Sequence, residues 1–222
     1  MSLPRQVRAV VFDMDGLLVD TEQVVFQAMQ RTAGGLGREM PLGTFQRMVG
    51  LQPAASERIL QEHFGAGFDL DAWAAEISRH FHEALDAGIA LKAGAVEILD
   101  HLDAVNLPRA IATSSSLVAV RQSLGPHNLV DRFHALITRD VQTQGKPHPE
   151  PFLKAAEALG VAPEHCLALE DSHNGVRAAA AAGMMTIMVP DMLDPTEEMR
   201  TLCVRIARDL HEVRELLAGR PG

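Results

Sequence analysis

Two aspartates one residue apart, Asp13 and Asp15, follow a short apolar run, Val10-Val11-Phe12, and precede Gly16. The run reads as a buried strand, and Asp15-Gly16 reads as a turn pair. Residues two apart on a strand face the same side, so both carboxylates are expected to project together from the strand's carboxyl end. In open α/β sheets that edge is where ligands bind. Two carboxylates held there repel each other, and a divalent cation or a proton between them relieves the repulsion. Taken alone, Asp-x-Asp-Gly is equally an acidic turn that ends a strand.

Three further groups extend the pattern: Thr113-Ser114-Ser115-Ser116, Lys146 in a polar Gly-Lys-Pro loop, and Glu170-Asp171-Ser172. Each has an ordinary explanation by itself, as a helix cap or a surface lysine. Jointly they supply what displacement at a phosphoryl group requires. A carboxylate attacking phosphate meets like-charge repulsion, so cations must surround the reacting groups. Acidic residues on neighbouring strand ends, among Asp13, Asp15, Glu170 and Asp171, can hold Mg²⁺ through one or two carboxylates, with phosphate oxygen and waters completing the octahedron. Lys146 adds a compact positive charge. The Thr113 hydroxyl and the backbone N–H of Ser114, expected at a helix start, suit a phosphate oxygen. Asp13 can act as the nucleophile and Asp15 as the general acid and base.

These groups need a scaffold that brings strand ends together. Strands are expected over about 8–12, 109–113, 134–138, 166–169 and 185–189, with a short edge strand at 204–207. Helices alternate with them after residue 89, including 150–159 and 210–217. That alternation predicts a doubly wound, mainly parallel α/β sheet of Rossmann-like form with right-handed crossovers. Between the first two strands the pattern is wholly helical, with helices expected after Asp20, in 41–50 and 53–64, and through Leu70, Trp73, Ile77, Phe81 and Leu85. One helix suffices for a crossover, so residues 17–86 are expected to form an inserted helical domain, with 1–16 and 87–222 forming the core.

The chain has 222 residues, 47% of them hydrophobic, and a mean hydropathy of +0.03, which suits one sizeable globular core with an insertion. Asp+Glu number 29 against 20 Lys+Arg, a net charge of −9 that disfavours a nucleic-acid partner. No apolar run is long enough for a bilayer. The first residues offer no signal peptide, so a cytoplasmic location is the expectation. Two cysteines, Cys166 and Cys203, suit neither a disulfide framework nor a metal site. His80 and His82 are expected on a helix surface, on different faces. Oligomeric state has no readable signal.

The set Asp13-Met14-Asp15-Gly16-Leu17-Leu18-Val19-Asp20-Thr21-Glu22, Thr113-Ser114, Lys146-Pro147 and Glu170-Asp171-Ser172 through Gly175 resembles the haloacid dehalogenase superfamily of phosphohydrolases. It is similar to the helical-cap branch that includes β-phosphoglucomutase and sugar-phosphate phosphatases. The resemblance implies Asp13 as nucleophile and Asp15 as acid/base. It implies Mg²⁺ held by the Asp13 side chain, the Asp15 backbone carbonyl and Asp171, with Glu170 a ligand or close neighbour. Thr113, Ser114 and Lys146 would bind the phosphoryl group of a small phosphorylated metabolite. The mutases carry a His where this chain has Val25, and an Arg where it has Gln52-Pro53. Hydrolysis is therefore expected ahead of a mutase-type transfer, and ahead of a non-enzymatic module that only senses phosphate.

Overall fold

The structure is a computed structural model describing residues 3–51 and 53–219. Six strands form one sheet: β1 (Ala9–Phe12), β2 (Arg109–Ala112), β3 (Ala135–Ile137), β4 (Cys166–Glu170), β5 (Met185–Met188) and β6 (Arg205–Ile206). Their order is β3-β2-β1-β4-β5-β6, and every neighbouring pair is parallel. The α/β, doubly wound, parallel reading is therefore correct.

Burial explains the double winding. β1 and β4 are buried along their whole length, as strands covered on both faces must be. Val10 and Phe12 pack with α5 (Ala95–Ala104), α6 (Leu117–Leu124) and α10 (Leu210–Leu217). Ala9 and Val11 pack with α7 (Glu150–Leu159) and α8 (His173–Ala181). The period-two alternation of a strand thus feeds two separate apolar layers. A short helix, α9 (Glu197–Leu202), was not anticipated. Thr196 caps it, and Met199 anchors it against Val176 and Met188.

Between β1 and β2, four helices precede α5: α1 (Thr21–Gly35), α2 (Leu42–Gln46), α3 (Pro53–Phe64) and α4 (Leu70–Ala87). They share an apolar cluster of their own, built on Phe26, Met40, Phe45, Met48, Ile59, Leu60 and Trp73. Leu17, Leu18 and Val19 instead pack in the sheet's core. His80, expected at a surface, is 8% exposed beside Glu83, because α4 turns that face toward α1. No helix among the described residues is long and apolar enough to cross a membrane.

Candidate active site

The strand order turns at β1, whose two neighbours, β2 and β4, lie on opposite sides of it. Ligands of open α/β sheets sit at such a switch point, beyond the strands' carboxyl ends. Register then assembles the site. Phe12 pairs with both Ile111 and Leu169, so the residues just past all three strand ends come level. Asp13, Asp15, Thr113, Ser114, Lys146 and Asp171 line one cavity there, of about 470 Å³. Glu170 is completely buried beneath it.

Lys146 Nζ donates to Asp13 Oδ1 and to Glu170 Oε1, the latter at 2.5 Å. Burial by itself would lower the Lys146 pKa, but Asp13 and Glu170 outweigh it and hold the ammonium charged. Burial pushes the Asp13 carboxyl up to about 8; Lys146 opposes the rise, while Glu170 and Asp15 add to it. Asp171 is likewise raised, by burial first and then by Glu22 and Asp13. Glu170 Oε2 is tied down by the Ser172 hydroxyl and by the N–H groups of Asp171 and Ser172.

Two glycines make room for this crowding. Gly16 adopts φ +80, and a Cβ there would strike the Asp171 carboxylate. A Cβ on Gly175 in α8 would strike the Glu170 carboxylate.

Asp15 sits differently from the expectation. β1 ends at Phe12, so strand alternation does not align the two aspartates; instead Asp15 bridges to Val19 in the turn that follows. Its Oδ1 accepts from Thr21 Oγ1 at 2.8 Å, and its Oδ2 accepts from Thr113 Oγ1 at 3.2 Å and Ser115 Oγ at 2.8 Å. The Asp15 carboxylate is thereby engaged by three hydroxyls. The acidic trio whose oxygens lie within 4.8 Å of one another is Asp13, Glu170 and Asp171, without the Asp15 side chain. Ser114 lines the cavity but does not start a helix, since α6 begins at Leu117 behind its cap Ser116. A phosphate contact from its N–H would belong to a loop.

Sequence reasoning missed several neighbours. Glu22, Asp171 and Asp191 form a second acidic trio, and Lys92 Nζ reaches Asp191 at 2.6 Å and Asp20 at 3.3 Å. Burial raises Glu22 to about 8, helped by Asp191. Glu22 Oε2 and Asp191 Oδ2 are buried with no hydrogen-bond partner. The Asp-Thr-Glu stretch after the turn is the available signal for Thr21 and Glu22; it marks a helix start and belongs to the motif that resembles the family, but it assigns neither residue a role.

Comparison with known proteins agrees with this geometry. The family model of haloacid dehalogenase-like hydrolases matches residues 7–183. A Drosophila melanogaster protein named "Probable pseudouridine-5'-phosphatase" is 36% identical, over 84% of this chain and 83% of that one. Hexitol phosphatase A of Escherichia coli is 34% identical, over 82% of each chain. A haloacid dehalogenase family hydrolase from Deinococcus radiodurans, solved with bound phosphate and sodium, superposes with a TM-score of 0.82 at 26% identity, over 96% of both chains. The chain belongs to the haloacid dehalogenase-like hydrolases, and it is an enzyme of the kind that hydrolyses phosphoric monoesters.

Proposed function

We propose that this enzyme is a Mg²⁺-dependent phosphomonoesterase that hydrolyses a small sugar phosphate through an aspartyl-phosphate on Asp13. The observation that carries the reading is the pairing of Asp13 with Lys146 in a buried site, opposite an Asp15 carboxylate held by three hydroxyls. Two of the relatives named above are named as phosphatases, one for pseudouridine 5′-phosphate and one for hexitol phosphates, which supports a small phosphorylated metabolite as substrate.

The donor set suits a divalent cation. Asp13, Glu170 and Asp171 crowd together, and among the described residues Lys146 is the ammonium bonded to Asp13 and Glu170; burial first, and then the neighbouring carboxylates, raise Asp13 and Asp171. Asp13 and Asp171, the Asp15 carbonyl and, directly or nearby, Glu170 would hold Mg²⁺, a hard cation that prefers oxygen ligands. When bound, it supplies charge that keeps Asp13 ionised and offsets the charge developing on the phosphoryl oxygens.

The residues then divide the work. One Asp13 oxygen attacks phosphorus while the bond to the leaving oxygen breaks, and Asp15 delivers a proton to that oxygen. Asp15 next takes a proton from water; the water oxygen attacks phosphorus, and the bond to Asp13 breaks to restore its carboxylate. Lys146 neutralises charge on the phosphoryl oxygens throughout. Thr113 and Ser114 line the cavity; the Ser114 N–H can donate to phosphate oxygen once substrate binds, whereas the Thr113 hydroxyl would first have to release Asp15.

The helical insertion serves as a cap over this site. We draw its start near Asp20, since Leu17–Val19 belong to the sheet's core. Closing it over substrate would exclude water from the phosphoryl group. A cytoplasmic location goes with the two free cysteines, which suit a reducing compartment. Phosphate release from a panel of phosphorylated sugars, with and without EDTA, tests the proposal. Activity that vanishes on chelation and returns with Mg²⁺ is expected, and full activity after exhaustive chelation would contradict the metal.

A further inference from the structure

Away from the two chain crossings, at 17–21 and 88–92, two hydrogen bonds join the helical cap to the core among the described residues. In both, an amide side chain donates to a backbone carbonyl. Gln46 Nε2 of α2 reaches the Met192 carbonyl at 2.8 Å, and Asn174 Nδ2 of α8 reaches the Gly50 carbonyl at 2.6 Å. The second bond lands on the loop between α2 and α3, where Met48, Val49, Gly50 and Leu51 line the active-site cavity. A Cβ on Gly50 would lie 3.7 Å from Ser172, so this loop rests on the start of α8.

Helix-forming tendency does not explain Asn174. Asn is among the weaker helix formers and is favoured at caps. The cap of α8, however, is Ser172, whose hydroxyl accepts from the Gly175 N–H. Asn174 stands inside the first turn, and its amide is spent on other groups. Oδ1 accepts from Arg177 Nη1 at 3.0 Å, while Nδ2 serves Gly50. A guanidinium only donates and a carbonyl oxygen only accepts. One orientation of the amide therefore satisfies both, and Arg177 selects it.

Arg177 is fixed in its turn. Its Nε and Nη2 meet the two Glu198 carboxylate oxygens of α9 at 2.8 and 2.6 Å. A planar fork held at two points is pre-organised to present its remaining nitrogen to Asn174. Both side chains of the pair are well exposed, and such pairs add little stability. Removing Arg177 therefore tests orientation without endangering the fold. The chain of contacts runs from the outer helix α9 through α8 to the cavity wall.

We propose that Asn174 is a positioning residue for the cap, oriented by Arg177 and Glu198. It holds the 48–51 loop against the core while the cap covers the cavity. That loop is part of the wall a leaving group meets, so the bond sets affinity for substrates that extend to the cap. Its loss lowers the fraction of enzyme competent to hold such a substrate, and apparent affinity falls with that fraction. The inference rests on the phosphomonoesterase reading of the site and adds to it a determinant outside the reacting groups.

The test compares Asn174→Ala, Arg177→Met, Arg177→Lys and the Asn174→Ala/Arg177→Met double variant with the parent, all with Mg²⁺. The substrates are glucose 6-phosphate, sorbitol 6-phosphate and ribose 5-phosphate. Acetyl phosphate, whose leaving group is too short to reach the cap, reports on the floor alone. KM for the best sugar phosphate should rise about two- to tenfold in Asn174→Ala and Arg177→Met, the worth of one net hydrogen bond, with kcat not lowered. Arg177→Lys keeps a donor and should lie nearer the parent. The double variant should be no worse than Asn174→Ala, because the two residues act as a unit. Acetyl phosphate kinetics should be unchanged in Arg177→Met. Without substrate, amide hydrogen exchange in 48–51 should quicken at least several-fold in Asn174→Ala and Arg177→Met. An unchanged KM or an unchanged exchange rate, with both kinds of ester hydrolysed, overturns the inference and leaves the phosphatase reading standing. A kcat that falls on both kinds of ester means that α8 has lost its hold on Glu170 and Asp171, and likewise overturns the cap role. Hydrolysis of acetyl phosphate alone, or of no ester, overturns the sugar-phosphatase reading and the inference with it.

Discussion

Thr21 Oγ1 donates to Asp15 Oδ1 at 2.8 Å, so the first residue of the inserted helices holds the carboxylate proposed as acid and base. Thr21 is 3% exposed and sits where the chain leaves the core for α1. Cap position and acid/base orientation are therefore coupled through one hydroxyl. Thr21→Val keeps the shape and removes the donor. We expect kcat to fall about tenfold or more, a part of the 10²–10⁴ typical of the whole acid/base contribution, with KM little changed. A rise in KM alone, with kcat intact, would show that Thr21 serves the cap and not Asp15.

Asp13→Asn should abolish phosphate release while the protein stays folded, because an amide neither attacks phosphorus efficiently nor pairs with the Lys146 ammonium as a carboxylate does. Asp15→Asn should slow both chemical steps by about 10²–10⁴. Near-normal turnover by an Asp13→Asn enzyme whose circular dichroism matches the parent would sink the aspartyl-phosphate mechanism.

Protons and a divalent cation should compete for the acidic floor. Burial raises Asp13 from 3.8 to about 8 in the metal-free enzyme, so its folded form holds a proton more tightly than its unfolded form does. That stabilisation is fully present below the ordinary carboxylate range and is lost as pH rises through about 8. Asp171 is shifted in the same direction. A cation requires the deprotonated carboxylates, so its effect should grow as the proton's effect fades. The increase in Tm on adding Mg²⁺ should be larger near pH 8.5 than near pH 6. An increase independent of pH would exclude these carboxylates as ligands.

Much of this was legible in the chain because local signals and the global fold agreed. The strands declared themselves as short apolar runs ending in turn residues, and α7 and α10 match their expected limits. Asp13 and the Glu170-Asp171 pair were legible because each closes or follows such a run, whereas Lys146 stands in a polar loop. The hydroxyl cage of Asp15 was not, since Thr21, Thr113 and Ser115 come from separate segments that meet only through the sheet's register. The same holds for Glu22, Asp191 and Lys92, which converge from α1, the end of β5 and the return from the cap. His80 was misplaced because helical spacing identifies a face but not whether a neighbouring helix covers it. α9 is too short to show a period and depends on its Thr196 cap and Met199.

A second pH effect should appear far from the site. Glu212 on α10 accepts from the Arg208 N–H at 3.0 Å and from the side chains of Arg205 and Arg208, which hold its carboxyl down at about 2. The unfolded chain returns it to its ordinary 4.5. A lowered pKa contributes stability above that ordinary value and loses it as pH falls toward about 2. Glu212→Gln should cost about 1–3 kcal/mol at neutral pH, the range for losing charged hydrogen bonds at a mostly buried carboxylate, and the difference from the parent should shrink below about pH 4. A constant difference down to pH 2.5 would mean packing, not charge, sets the loss.

The last prediction separates hydrolysis from mutase chemistry. Both begin with phosphoryl transfer to Asp13 and differ in the hydroxyl that the phospho-enzyme then meets. A mutase must keep a bisphosphate in place and turn it over, which calls for a cation on the cap side, best an Arg whose planar fork fits phosphate. Gln52, at the position where the mutases place theirs, lies outside the described residues, but its side chain carries no charge in any conformation. Arg47 and Arg58 are engaged with Glu62 and the Ala54 carbonyl, and neither lines the cavity. Val25, at the position of the mutases' His, is on the cavity lining and offers neither donor nor charge. Water is then the acceptor best served. Incubation with β-glucose 1-phosphate and a trace of glucose 1,6-bisphosphate should yield inorganic phosphate, with glucose 6-phosphate a minor product or none. Stoichiometric glucose 6-phosphate with little free phosphate would overturn hydrolysis and establish the transferase in its place.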